Sequence, residues 1–263
     1  MKDTSRLNFI QGAFRNGKPL FSRVRRAAEA GLRDALDFAF PRSCLLCGNG
    51  FDEGRWLCPV CGRRVRESAA AALHSDPEDF PYLAGERHFD GLAACWEFNP
   101  DLEQCVHRIK YSGMERLGRH LGVLAGEILR EKQILGTRPD AVVPVPLHPV
   151  RRRERGYNQS ERIAAGFAGV FGFSVRTDLL ARQRATRTQT DLTGEERQKN
   201  VSGAFRVLRP DSVRGLTLLI VDDVVTTGAT LNACARALKD AGASSVFGFA
   251  LARPVLRTGA GTD

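Results

Sequence analysis

Two clusters in this 263-residue chain combine residue types and spacings suited to chemistry. The first is the run from Leu218 to Thr230, an apolar stretch that ends in Asp222 and Asp223 and continues through Val224, Val225, Thr226, Thr227, Gly228, Ala229 and Thr230. Read as a strand, a turn and the start of a helix, it gathers backbone N–H groups and threonine hydroxyls into a cradle for a phosphate dianion, and Gly228 lets the phosphate approach the backbone. Carboxylates do not bind the phosphate itself. Asp222 and Asp223 are instead placed to accept hydrogen bonds from vicinal hydroxyls of a sugar whose phosphate fills the turn. The alternative is an ordinary strand-to-helix turn with capping threonines, which an acidic pair alone would favour; the whole pattern favours the cradle.

The second cluster is Cys44-x-x-Cys47 followed, after ten residues, by Cys58-x-x-Cys61. Two such pairs on tight turns, with Gly48 and Gly62 directly behind them, offer four soft ligands to one tetrahedral Zn²⁺. A redox pair, an iron–sulfur cluster and coincidence are the competing readings. With four protein ligands a zinc ion has no open position, so its role would be structural or interactive. Cys95, Cys105 and Cys234 are scattered through apolar or helical surroundings and read as ordinary thiols of a reducing compartment.

These groups need elements to position them. Apolar residues near helical spacing from Phe21 to Phe40, stopped by Pro41, predict an amphipathic helix within residues 1–42. Residues 43–66 form the cysteine ribbon, and 67–89, rich in Ala, Pro, Asp and Glu, read as a linker. From 90 to 255 strands are predicted at 92–98, 141–145, 173–180, 216–221 and 245–251, and helices at 114–132, 159–171 and 229–240. A basic loop carries Arg151, Arg152, Arg153 and Arg155, and residues 182–203 are a long polar segment. Residues 256–263 are a tail. Alternating strands and helices predict an α/β fold with a mostly parallel sheet covered on both faces, its ligand at the carboxyl ends of the strands.

Composition narrows the partners. The 39 Lys and Arg exceed the 30 Asp and Glu, a formal charge of +9 that favours phosphates, nucleic acid or anionic membrane. No apolar run is long enough to cross a bilayer and no signal peptide is evident, so the expectation is a soluble, cytoplasmic protein. Arg55, Trp56, Arg63, Arg64 and Arg66 around the cysteines provide charge for single-stranded DNA but no stacking platform of several aromatics.

The Leu218–Thr230 run resembles the signature by which type I phosphoribosyltransferases bind 5-phosphoribosyl 1-pyrophosphate (PRPP). The paired cysteines, Ile109-Lys110-Tyr111-Ser112-Gly113, Pro144-Val145-Pro146-Leu147-His148, Arg155-Gly156-Tyr157-Asn158-Gln159-Ser160 and Arg197-x-x-Asn200-Val201-x-Gly203-Ala204-Phe205 follow in an order similar to that of the ComF family of competence-associated, phosphoribosyltransferase-like proteins. The resemblance covers roughly residues 34–253. It implies the type I phosphoribosyltransferase fold behind a small zinc ribbon, with the ribose on Asp222 and Asp223 and the 5-phosphate on Thr226, Thr227, Gly228, Ala229 and Thr230. By chain order, Arg151 and Arg155 fall at the pyrophosphate loop, and Arg184 and Gln189 in the flexible loop that closes over PRPP and excludes water. The implied activity is Mg²⁺-dependent transfer of phosphoribosyl from PRPP to an unidentified acceptor, with Asp222, Asp223, Arg184 and Gln189 in catalytic roles. The competing implication is a PRPP or nucleotide sensor in DNA uptake that contacts single-stranded DNA or a DNA-processing protein. A homodimer is compatible with either.

Overall fold

A computed structural model describes residues 43–51, 56–74, 83, 86–184 and 203–254. The amphipathic helix expected before residue 43 lies outside them. The chain divides into two compact units, Met1–Cys58 and Pro59–Asp263.

The second unit begins with α1 (Pro59–Glu67), β1 (Ala69–His74), β2 (Gly91–Glu97), α2 (Pro100–Tyr111) and α3 (Glu115–Glu131). It continues with β3 (Ala141–Pro144), α4 (Pro149–Arg155), α5 (Gln159–Phe171), β4 (Leu180–Arg182) and β5 (Phe205–Val207). It ends with β6 (Thr217–Val224), α6 (Ala229–Asp240) and β7 (Ser245–Arg253). The main sheet has the order β1-β2-β7-β6-β3, and β4 pairs with β5 in a separate two-stranded sheet. Only β1 runs antiparallel in the main sheet; β2, β7, β6 and β3 are parallel neighbours.

Both faces of the sheet are covered, which lets β6 and β7 be apolar almost throughout. On one face Leu218 and Ile220 pack in a core with Leu231, Cys234, Ala235 and Leu238 of α6. On the other, Phe167 of α5 stacks on Phe249 of β7 at 4.2 Å between ring centroids. α3 and α5 approach closely through Gly122 and Gly166: a Cβ on Gly122 would collide with the Ile163 carbonyl and one on Gly166 with the Arg119 carbonyl. Asn158 caps α5 by accepting from the Ser160 N–H at 3.1 Å, and Gly172, left-handed at φ 69°, ends it.

Four expectations change. Part of the predicted linker is β1, because Ala69–His74 finds a partner in β2 despite its alanines. The predicted basic loop is α4, started by Pro149 and ended by Gly156 at φ 81°. The helix α2 was not predicted, although Asn99 caps it by accepting from the Leu102 N–H at 3.0 Å and Pro100 opens it. The predicted strand at 173–180 contracts to one parallel bridge between Val175 and Val142, with β4 beginning only at Leu180.

Among the described residues no helix is long and apolar enough to cross a membrane.

Candidate functional site

β6 delivers Asp222 and Asp223 at its carboxyl end, flanked by β7 and β3. Val225 is fixed by its N–H to the Ala252 carbonyl at 3.0 Å, and Gly228, left-handed at φ 80°, turns the chain into α6. In the turn Thr226 is exposed and Thr227 buried; the Thr227 hydroxyl accepts from the Ala229 N–H at 3.3 Å, so it supports the helix start from within. The amino end of a helix, where backbone N–H groups point outward along the axis, favours anions by general helix electrostatics.

The two carboxylates are held differently. Asp222 Oδ1 accepts from the Ser160 hydroxyl of α5 at 3.0 Å and from the Asp223 N–H at 2.9 Å. Asp223 Oδ1 accepts from the Val224 N–H at 2.7 Å, and Asp223 Oδ2 lies 2.9 Å from the Lys110 ammonium at the end of α2. That contact is an ion pair, the close contact made by this buried oxygen among the described residues. Burial, and then the neighbouring Asp223 charge, push the Asp222 carboxyl up to about 7, opposed by the Asp223 amide, Lys110 and Ser160. Burial works against the Lys110 ammonium as well, but Asp223 and Asp222 outweigh it and raise Lys110 above its ordinary value.

The segment from Arg155 to Ser160 braces this arrangement. The Tyr157 hydroxyl donates to the Ile109 carbonyl of α2, and the Asn158 side-chain amide donates to the Val145 carbonyl at 2.9 Å. Arg155 donates to the Gln159 side-chain oxygen at 2.5 Å and lies 5.6 Å from the Tyr111 ring centroid. Sequence reasoning named this motif but did not identify Ser160 or Lys110 as neighbours of the acid pair. Ser160 in the first turn of a capped helix was the available signal; nothing local showed where Lys110 points.

The remaining expected residues are placed as follows. Arg151 is half exposed, 3.6 Å from Glu154 of its own helix. Arg184 ends the described part of the chain after β4, and Gln189 lies outside the described residues. Arg182 on β4, unnoticed in the sequence, is close enough to Asp222 for their charges to interact; burial lowers its guanidinium, and Asp222 acts against that.

The sulfurs of Cys44, Cys47, Cys58 and Cys61 lie within 4.8 Å of one another. A tetrahedral zinc–thiolate site with bonds of about 2.3 Å has sulfur–sulfur edges of roughly 3.8 Å, and Cys47 and Cys58 are 3.8 Å apart. Burial opposes the Cys44 thiolate, but donors from Cys58, Cys47 and Leu46 outweigh it and lower this thiol to about 6; the Cys58 N–H is 3.3 Å from the Cys44 sulfur. The donor set therefore fits a closed metal site. Cys95, Cys105 and Cys234 are buried apart from this group.

Of the arginines expected to attract DNA, two are already engaged. Arg64 makes a two-pronged pair with Asp101 of α2 at 2.6 and 2.9 Å, and Arg66 bridges Glu127 and Glu131 of α3 at 3.2 and 2.5 Å. With the Trp96 indole N–H on the Val65 carbonyl at 2.8 Å, these contacts fasten α1 to its own unit. Arg63 is exposed, whereas Arg55 lies outside the described residues.

An apolar cavity of about 70 Å³, lined by Leu73, Ala93, Ile134, Leu135, Leu219 and Phe247 among others, lies toward the amino ends of the parallel strands. It offers few polar groups. Asp222 and Asp223 sit at the opposite, carboxyl ends, where open parallel sheets generally take their ligands.

Comparison with known proteins shows the family. The sequence profile of the phosphoribosyl transferase domain matches residues 114–253. DNA utilization protein YhgH of Salmonella typhimurium is 33% identical over 223 residues, 81% of this chain and 97% of that protein. Competence protein F of Haemophilus influenzae is 26% identical over 223 residues, 80% of this chain and 96% of its own length. Competence protein ComFC of Streptococcus pneumoniae is 26% identical over 216 residues, 80% of this chain and 88% of that protein. Among solved structures, the allosteric regulatory enzyme of purine biosynthesis aligns with a TM-score of 0.37 and 21% identity over 56% of this chain, which spans 30% of that enzyme. The profile match and the length of the shared sequence establish that the chain belongs to the ComF family of phosphoribosyl transferase domain proteins.

Proposed function

We propose that the chain binds PRPP at the carboxyl end of β6, with the ribose hydroxyls on Asp222 and Asp223 and the 5-phosphate in the Thr226–Thr230 turn. One observation carries the reading: two buried carboxylates, Asp222 and Asp223, stand at the carboxyl end of β6 directly before the turn that opens α6. Two adjacent carboxylates are costly to bury, and a pair that served packing alone would not be expected at a strand end that faces a helix amino terminus. Arg151, paired with Glu154, and Arg155, which meets Gln159 and Tyr111, are both carried to the pyrophosphate by chain order. Arg184 and Gln189 enter by chain order alone.

The activity that follows is transfer of phosphoribosyl to an unidentified acceptor, in which the bond between ribose C1 and pyrophosphate breaks and negative charge collects on the leaving group. Mg²⁺, carried in with the pyrophosphate, would neutralise that charge. The chain's own part is to hold the sugar by its diol and phosphate so that C1 stays fixed. The test is PRPP with Mg²⁺ against ribose 5-phosphate in a thermal-shift titration, followed by pyrophosphate release in the presence of nucleobases and amines. Stabilisation by PRPP together with release supports an enzyme; stabilisation without release under any acceptor leaves a sensor, and no stabilisation refutes the site.

The sensor is the second reading, favoured by relatives named for DNA utilization and competence. Salt-dependent binding of single-stranded DNA by the intact chain tests it. For the cysteine cluster we propose a structural Zn²⁺ held by Cys44, Cys47, Cys58 and Cys61, in keeping with reduced thiolates in the cytoplasm.

A further inference from the structure

The last turn of α2 is gripped on either side of Lys110. Before it, the Ile109 carbonyl accepts from the Tyr157 hydroxyl; after it, the Tyr111 ring carries the Arg155 guanidinium at 5.6 Å from its centroid, and the His107 ring lies 4.9 Å away. Arg155 is tied in turn to Gln159 in the first turn of α5. The segment Arg155–Ser160 thus reaches the acid pair twice, directly through the Ser160 hydroxyl on Asp222 and indirectly through the helix end that presents Lys110 to Asp223. Lys110 is 26% exposed although it stands at the end of a surface helix beside Tyr111, which is 64% exposed. A flexible lysine drawn inward to a buried carboxylate surrenders hydration that an outward rotamer would keep, so the pairing has to be compensated by what it does for its partner.

We infer that Lys110 is a positioning residue of this site: it orders Asp223 and supplies the counter-charge that lets Asp222 and Asp223 accept from one sugar diol together. The inference rests on the sugar-phosphate reading proposed above. Two adjacent buried carboxylates resist ionising together, and a cation at 2.9 Å from one of them relieves that resistance. The groups whose charges or dipoles act on the pair are Lys110 of α2, Ser160 of α5, Arg182 of β4 and Cys234 of α6. Lys110 stands 2.9 Å from Asp223 Oδ2.

The experiment follows the ¹³C-labelled aspartate carboxyls of the full, ligand-free chain by NMR from about pH 5 to about pH 9, in the wild type, Lys110→Met, Lys110→Arg and Tyr157→Phe. PRPP–Mg²⁺ affinity is measured on the same four proteins across the same range. In Lys110→Met the aspartate midpoint should rise by about one pH unit or more, and affinity should fall roughly tenfold near pH 7 but much less near pH 9. Lys110→Arg should restore most of both. Tyr157→Phe keeps the lysine and removes one anchor, so it should show a smaller displacement in the same direction, and it decides the matter if Lys110→Met does not fold. An unchanged midpoint in the folded variants, or an affinity loss equal at both ends of the pH range, would overturn the inference. A displaced midpoint in a protein that binds no PRPP would uphold the charge role of Lys110 and refute the PRPP reading instead.

Discussion

At the cysteine cluster, amide donors from Cys58, Cys47 and Leu46 overcome burial and lower the Cys44 thiol to about 6, whereas at the end of β6 burial prevails and raises the Asp222 carboxyl to about 7. Each region gathers potential anions, but the charged form is favoured at Cys44 and disfavoured at Asp222. Their construction differs too. The four cysteines lie close together in the sequence, with Cys61 in the first turn of α1. The acid pair takes its partners from α2 and α5, far away along the chain, and exists as a site only once the sheet and helices are packed.

Metal removal should separate the regions most strongly. Structural zinc–thiolate sites contribute about 10 kcal/mol or more of apparent binding energy at neutral pH, so Cys58→Ser, or a strong chelator, should abolish metal retention measured by atomic emission. PRPP affinity should stay within roughly twofold; a large loss would mean that the two regions are coupled. Gly122→Ala should act in the opposite sense. Crowding the Ile163 carbonyl should cost about 1–3 kcal/mol, seen as a fall in Tm of roughly 2–9 °C, and should weaken PRPP binding because α5 carries Ser160, while zinc content remains unchanged.

Asp222→Asn tests the disfavoured charge. The folded pKa of about 7 exceeds the unfolded value of about 3.9. A carboxyl raised in this way contributes stability that is present below the unfolded value and is lost as pH rises through the folded one. The isosteric amide, which can still accept from Ser160 and the Asp223 N–H, should therefore be more stable than wild type near pH 8 by about 1–3 kcal/mol and close to it near pH 4, as denaturant melts would show. The smallest effect belongs to α1: Arg64→Ala and Arg66→Ala, whose partners are substantially exposed, should each cost about 0.5–1 kcal/mol. If single-stranded DNA is bound, removing Arg63 should reduce its salt dependence more than removing either of them.

Much of the fold was legible because its signals were local. α5 and α6 begin and end where their caps and glycines predict, at Gln159–Phe171 and Ala229–Asp240. The Cys-x-x-Cys pairs and the acid pair were readable for the same reason. The other signals were either ambiguous or not local. Asn99-Pro100 marks α2 only at its start, and the Pro149 to Gly156 interval marks α4 behind a run of arginines that reads equally as a basic loop. β1 could not be read from alanines, whose strand state depends on pairing with β2. Lys110 and Ser160 meet the aspartates only through tertiary packing. Arg64 and Arg66, which in sequence were charge for a partner, are absorbed by Asp101, Glu127 and Glu131 of their own unit.

The central claim is that the carboxyl end of β6 receives a ribose diol together with its phosphate. Calorimetric titration of PRPP with Mg²⁺ into the wild type and into Asp222→Asn, Asp223→Asn, repeated near pH 7 in buffers of different ionisation enthalpy, addresses it directly. The account predicts saturable binding by the wild type with proton release, since sugar hydroxyls that donate to Asp222 favour its charged form, and little or no binding by the double variant. Equal binding by both proteins, or none by a folded wild type, would contradict it.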